Sequence, residues 1–267
     1  MKSDIVEREL EFHKKLAIEK TSSIKPIDPG ILLRYTENNN WHIYEKEYIF
    51  HFLIEYAKTK DKIVICEYGC GDGYISCQIA SIISNAFIDG IDLSPDLVNV
   101  ANENAKINGV AARANFIVGD AEQDVLKSDK YDVVLVLNII HHISLDEAIR
   151  QLTRITKAGG NIIILEPIAF SKQLQSLRDI TPVKKNTSPD ERQLDENEVK
   201  CLIRILKNID IRYFNLFGRL ARLTNNDTII NILKNIDYII MQRLKILRTY
   251  AGRILIIGEK GEDDYEK

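Results

Sequence analysis

Between residues 62 and 167, five short β-branched runs are interleaved with stretches of helical pattern, and this alternation constrains the fold more than anything else in the sequence. The runs read "KIVICEYG", "AFIDGIDLS", "ANFIVGDAEQ", "KYDVVLVLNIIHHI" and "NIIILEP"; the helical stretches read "GYISCQIASIIS", "PDLVNVANENAKING" and "LDEAIRQLTRITKAGG". Strands alternating with helices at this interval predict a doubly wound, mostly parallel sheet. The fourth run is almost continuously apolar, as burial on both faces of such a sheet requires. The pattern places Pro95 near the first turn of the second helix and closes the third with its glycines. Two further runs, "IDIRYFNLF" and "RILIIGEK", bring the expected strand count to seven.

Outside this region the signals are looser. Apolar positions at helical spacing predict a helix over 4–20 and another near 43–59, whereas "KPIDPGILLRYTENNN", 25–40, reads as a loop because of its prolines, glycine and asparagines. Residues 169–194 read as a loop with one short helix, and "DENEVKCLIRILKN" as a helix opened by a capping box from Asp195 to Glu198. A basic stretch over 218–252, with Arg219, Arg222, Arg243, Lys245 and Arg248, carries an apolar helical stripe of Ile229, Leu233, Ile236, Ile240, Leu244 and Leu247. The expected organisation is an N-terminal helical lid over 1–60 and one α/β domain over 61–267 with a helical insert at 218–252.

The first run hands over to its helix through Gly69, Gly71 and Gly73. Glycine is costly in a strand, so three on alternate positions imply a need for bare backbone. Ligands of open α/β sheets bind at the carboxyl ends of strands. A dinucleotide site wants GxGxxG with a pyrophosphate on the helix start, and here the third glycine falls one position early. The run Glu67-x-Gly69-x-Gly71-x-Gly73 instead resembles the first motif of class I S-adenosylmethionine-dependent methyltransferases. The resemblance extends to the other strand ends: Asp92 closes the second, Asp120 follows the third in "GDA", and Asn138 closes the fourth.

That resemblance implies a Rossmann-like seven-stranded sheet whose last strand, near 253–260, is antiparallel. It implies S-adenosyl-L-methionine as cofactor, with the glycine loop against the methionine part. The cofactor set it marks is Tyr44, Glu67, Gly69, Gly71, Gly73, Asp92 with Leu93 for the ribose, Asp120 with Ala121 for the adenine, and Asn138 beside the methyl group. Trp41, His42 and Tyr44 would belong to a lid, and Glu166-Pro167 would border the acceptor pocket. His141 and His142 are the candidate catalytic residues, since imidazole titrates near neutrality; the structural alternative is that one ring caps the next helix or bonds to backbone.

Composition narrows the acceptor. A net charge of −3 gives no general pull towards nucleic acid, and the fourth strand end lacks the Asp/Asn-Pro-Pro-aromatic run of amino-methylating nucleic-acid enzymes. The expected activity is O- or N-methylation of a small or medium organic acceptor. The alternatives are an aminopropyl transferase on the same fold, which would want an acidic loop after the fourth strand, or a catalytically silent partner protein. The four cysteines, Cys66, Cys70, Cys77 and Cys201, lack metal spacing and read as free thiols, so no metal is expected. A cytoplasmic setting without a membrane span follows. Association with a membrane surface and the oligomeric state are left open.

Overall fold

A computed structural model describes residues 2–36, 45–171, 192–216 and 226–261. Strand β1 (Ile63–Tyr68) lies near the middle of a seven-stranded sheet. On one side follow β2 (Ala86–Asp92) and β3 (Ala114–Val118); on the other follow β4 (Tyr131–Leu137), β5 (Thr156–Pro167), β7 (Arg253–Lys260) and β6 (Leu206–Phe214). The pairs among β1–β5 are parallel, and β7 runs antiparallel to both its neighbours. The order reverses between β1 and β4, which makes the carboxyl edge of those two strands the ligand crevice of the fold.

Each strand alternates its side chains between two cores. Ile63, Ile65, Val133, Leu135, Ile163 and Leu255 face helices α3 (Glu45–Ala57), α4 (Tyr74–Ile82) and α5 (Pro95–Ile107). Cys66, Tyr68, Val134, Val136, Ile164 and Ile256 face α6 (Leu145–Ile155) and α7 (Glu196–Arg204). Tyr131–Val136 are buried without interruption, so the continuous apolar run reports a strand covered on both faces. Helix α5 starts as its sequence predicts, with Pro95 in the first turn and the Ser94 hydroxyl accepting from Leu97 N at 3.3 Å. In α7 the box closes both ways: Asp195 accepts from Glu198 N at 2.9 Å, and Glu198 accepts from Asp195 N at 2.9 Å.

Three expectations are corrected. The 25–40 stretch contains a helix, α2 (Pro29–Thr36), because Pro29 opens a first turn and the Asp28 carboxylate accepts from Gly30 N at 2.8 Å. Helix α6 ends at Ile155, before the glycines. Thr156 turns extended, its hydroxyl donates back to Leu152 O at 2.6 Å, and Gly159 (φ 69°) falls in a register irregularity of β5. Helix α7 stops at Arg204, and β6 takes up Leu206 at once, with Asn208 (φ 52°) at a bulge.

Helix α1 (Lys2–Ser23) packs Leu16 and Ala17 against Leu97 and Val100 of α5. Its Lys20 reaches the Asp72 carboxylate at 2.9 Å. The apolar stripe of 218–252 becomes α8 (Asp227–Arg243) and a short tight turn over 245–250; Arg219 and Arg222 lie outside the described residues. No helix among the described residues is long and apolar enough to cross a membrane.

Candidate functional site

A cavity of about 440 Å³ opens at the crevice. Its lining includes Glu67, Gly69, Cys70 and Gly71 of the β1–α4 corner, Leu137, Asn138 and Leu165 at the ends of β4 and β5, and the charged Glu45, Lys46, Lys234 and Arg253.

The β1–α4 corner is fixed by its own hydrogen bonds. Gly69 N and Cys70 N both donate to Ile91 O at 2.9 Å, and Gly73 N donates to Cys70 O at 2.9 Å. Gly71 N donates to Asp92 Oδ2 at 2.8 Å, while Asp92 Oδ1 accepts from Ser94 N at 2.9 Å. Asp92 thus clamps the loop to the end of β2, and each of its oxygens retains acceptor capacity. Gly73 (φ 66°) has no space for a side chain: a Cβ would stand 2.6 Å from the Phe116 ring and 2.7 Å from Ala101. Gly71 (φ 52°) faces open space, so its backbone is bare toward the cavity.

Glu67 turns under α4. Its Oε2 accepts from Ser76 N at 3.1 Å and from Ser76 Oγ at 2.5 Å. Gly73 supplies no side-chain cap, so this buried carboxylate caps the helix and sits at its positive end. Burial nevertheless pushes the Glu67 carboxyl up to about 7, with the two Ser76 bonds and Lys46 pulling the other way. Lys46 stands exposed at the cavity rim, yet enough protein surrounds its ammonium to lower its pKa, with Glu67 opposing that shift.

A second carboxylate lies two strands away. Glu166 is fully buried near the end of β5. Its Oε1 accepts from Ile139 N and Ile140 N, both at 2.8 Å, and its Oε2 is 2.6 Å from His141 Nδ1. This bond set folds the chain sharply after β4, where Asn138 takes φ 61° and its amide oxygen accepts from Arg253.

The marked residues therefore divide. Glu67, Gly69, Gly71 and Asn138 line one cavity, with Asp92 hydrogen-bonded behind it. Leu93 is half-buried beside Asp92. Asp120 lines a separate open depression, its carboxylate accepting from Glu122 N at 2.9 Å, and the Ala121 carbonyl accepts from Tyr68 Oη at 2.5 Å. His141 is buried against Glu166 and does not line the cavity. His142 stands at the surface with its Nδ1 3.5 Å from Glu9 on α1. Glu166 lies under the β4 turn and does not line the cavity. Trp41, His42 and Tyr44 fall outside the described residues. The cysteines are free, and burial pushes the Cys77 thiol up to about 12. Among the described residues no group of side chains could hold a metal ion.

Sequence reading missed Ser76, Lys46, Lys234 and Arg253. Arg253 had a usable signal. It opens an antiparallel last strand, and the first residue of such a strand lies at the same sheet edge as the last residues of its parallel neighbours, as its pairing with Pro167 shows.

A family model described as a methyltransferase domain matches residues 59–218. An ajmaline N-methyltransferase from Rauvolfia serpentina is 29% identical over 127 residues, 47% of this chain and 40% of that protein. A ubiquinone biosynthesis O-methyltransferase from Rickettsia felis is 28% identical over 203 residues, 65% of this chain and 80% of that protein. The chain spans about half the length of the first curated relatives it matches. The crystal structure of geranyl diphosphate C-methyltransferase from Streptomyces coelicolor, which holds S-adenosyl-L-homocysteine, superposes with a TM-score of 0.55 at 14% identity, covering 89% of this chain and 90% of that one.

Proposed function

The chain belongs to the methyltransferase domain family, and we propose that it moves a methyl group from S-adenosyl-L-methionine to oxygen or nitrogen of a small or medium organic acceptor. The observation that carries this reading is the cavity wall itself: bare backbone at Gly71, clamped by Asp92, above the buried carboxylate of Glu67. The wall suits the cofactor. A ligand can lie against Gly71 where a side chain would stand, Asp92 has lone pairs for sugar hydroxyls, and Glu67 in its ionised form offers negative charge to a cation. Glu67, Gly69, Gly71, Gly73, Asp92 with Leu93, Asp120 with Ala121, and Asn138 would hold it, with Tyr44 belonging to the same set.

When bound, the cofactor supplies an electrophilic methyl group on a positively charged sulfur. The protein's task is to hold the acceptor atom in line and keep water out, and the separation required is about 3–3.5 Å. Lys46, Lys234 and Arg253 also line the cavity, so they meet whatever enters it. Where the acceptor carries a proton, His141 and His142 are the candidate bases, a role worth about a hundred- to ten-thousand-fold; neither lines the cavity, so the role requires the acceptor to reach past its wall. Glu166 at 2.6 Å would hold His141 as the Nδ1–H tautomer, leaving Nε2 as the basic atom.

Calorimetric titration with S-adenosylmethionine tests the reading. One-to-one binding with a rise in melting temperature is expected, and Gly71→Ala should weaken it. Neither heat nor protection from unfolding, or a response to NAD in its place, would overturn the assignment. With labelled methyl donor and cell extract as acceptor source, full turnover by both His141→Ala and His142→Ala would remove the base role and leave positioning alone.

A further inference from the structure

Helix α8 presents two opposed faces. On one, Asp237 and Met241 are buried, Lys234 lines the cavity, and the Tyr238 hydroxyl lies 3.4 Å from that of Tyr48 on α3. On the other, Ile229, Ile232, Ile236 and Ile239 recur at spacings of three and four and form a single stripe. These four are 38% to 53% exposed, which is unusual for isoleucine in a row of this length. The apolar surface continues past the helix end through Leu244 at 51% and Ile246 at 80% exposure. Scattered apolar residues on a surface need no explanation; a contiguous stripe does.

Charge indicates what covers it. Residues 227–250 contain four cations, Lys234, Arg243, Lys245 and Arg248, and two acids, Asp227 and Asp237, the second of which is buried. Arg248 turns inward, its Nε donating to Met241 O at 3.1 Å, but Arg243 and Lys245 stand exposed where the stripe ends. The chain as a whole carries −3, so this face is basic against the balance of the molecule. Cations beside exposed isoleucines, with Asp237 buried, suit an anionic surface with an apolar interior and disfavour a like face on a second copy.

We propose that α8 and the turn after it dock on an anionic phospholipid bilayer, lying in the interface with the isoleucine stripe down and Arg243 and Lys245 at the headgroups. The opposite face of the same helix bounds the cavity through Lys234, so docking holds the helix that closes the site. This proposal stands on the exposed face alone and does not depend on the chemistry assigned to the cavity.

The test is co-sedimentation of the full chain with vesicles of equal parts phosphatidylglycerol and phosphatidylcholine, against pure phosphatidylcholine. Binding to the anionic vesicles is expected, with release at about 0.5 M salt as the headgroup charge is screened. Ile232→Glu combined with Ile236→Glu should weaken binding by about tenfold or more, and Arg243→Glu with Lys245→Glu by a similar factor. Both substitutions lie on the surface, so an unchanged melting temperature and circular dichroism spectrum separate lost docking from lost folding. The proposal is overturned if the protein ignores both vesicle types. It is equally overturned if sedimentation velocity shows a dimer that the isoleucine variant dissolves, since the stripe would then be a contact between copies.

Discussion

Two buried glutamates close two corners at the same edge of the sheet, and they are built differently. Glu166, at the end of β5 beneath the turn that follows β4, uses both carboxylate oxygens inside the protein, for two backbone amides and an imidazole. Glu67, at the β1–α4 corner, receives both its bonds on one oxygen from one residue, Ser76, and lines the cavity. Residue type, burial and place on the strand are nearly the same. The number of internal donors separates a fully bonded staple from a carboxylate that keeps acceptor capacity at the cavity. Burying a charge without enough donors is unfavourable, and the raised pKa of Glu67 is the mark of that cost.

The sharpest way to break this contrast is truncation of each carboxylate. Glu166→Ala strands two amides and an imidazole in a dry core, and should cost about 3–5 kcal/mol in urea unfolding at neutral pH. Glu67→Ala removes a poorly compensated charge along with two bonds and should cost about 1–2 kcal/mol, while cofactor binding falls. Equal losses would show that the two corners are the same device.

Next comes pH. The Glu67 carboxyl titrates at about 7 in the folded chain and near 4.5 when unfolded, so between those values the folded state holds the extra proton. Stability of the unliganded protein should therefore fall as pH rises from about 4.5 to about 7, by up to about 3 kcal/mol from this group, and then level off. Glu67→Gln should flatten that slope. A cationic ligand favours the ionised carboxylate. Cofactor affinity should thus rise through the same window, with proton release visible as a buffer-dependent heat of binding.

The contrast also explains what could be read from the sequence. The sheet was legible because β4 and the second half of β5 are continuous apolar runs and each parallel strand ends in turn residues. The glycine corner was legible because its spacing is a backbone requirement, and backbone requirements appear as residue types. The Glu166 staple was less so: an acid after "NIIIL" looks like any strand end, and its partners are amides of Ile139 and Ile140, which leave no trace in residue identity. The helix boundaries at Ile155 and Arg204 misread for a related reason. A β-branched or apolar residue following a helix continues its pattern, and pairing with a neighbouring strand, which is a long-range effect, converts it to sheet. Helix α2 was hidden by Pro29, which serves as a breaker or an opener according to whether Asp28 caps it.

Smaller effects refine the glycine corner. Gly73→Ala forces a methyl group into the Phe116 ring and Ala101 at a left-handed φ, and should cost about 2–3 kcal/mol. Gly71→Ala meets no atoms and should cost only about 1 kcal/mol from backbone conformation, so its loss of function would exceed its loss of stability. Thermal unfolding of the two variants beside cofactor titration separates them; similar melting temperatures would mean that the corner yields more than its packing suggests.

The smallest expected change is at Asn138, the counterpart of those glycines in the other corner. Its φ of 61° is a conformation that asparagine tolerates and glycine adopts without strain. Asn138→Gly relieves that strain, raises the freedom of the unfolded chain, and removes the acceptor of Arg253. The first two effects nearly cancel, so stability should move by less than about 1 kcal/mol. With Asn138 gone, Arg253 is left with the Glu45 carboxylate 3.9 Å away, and the damage should appear in function: turnover and cofactor affinity should both fall several-fold. A fall of several kcal/mol in stability would instead make Asn138 part of the Glu166 staple, and would shift the boundary between the closed corner and the open one by a residue.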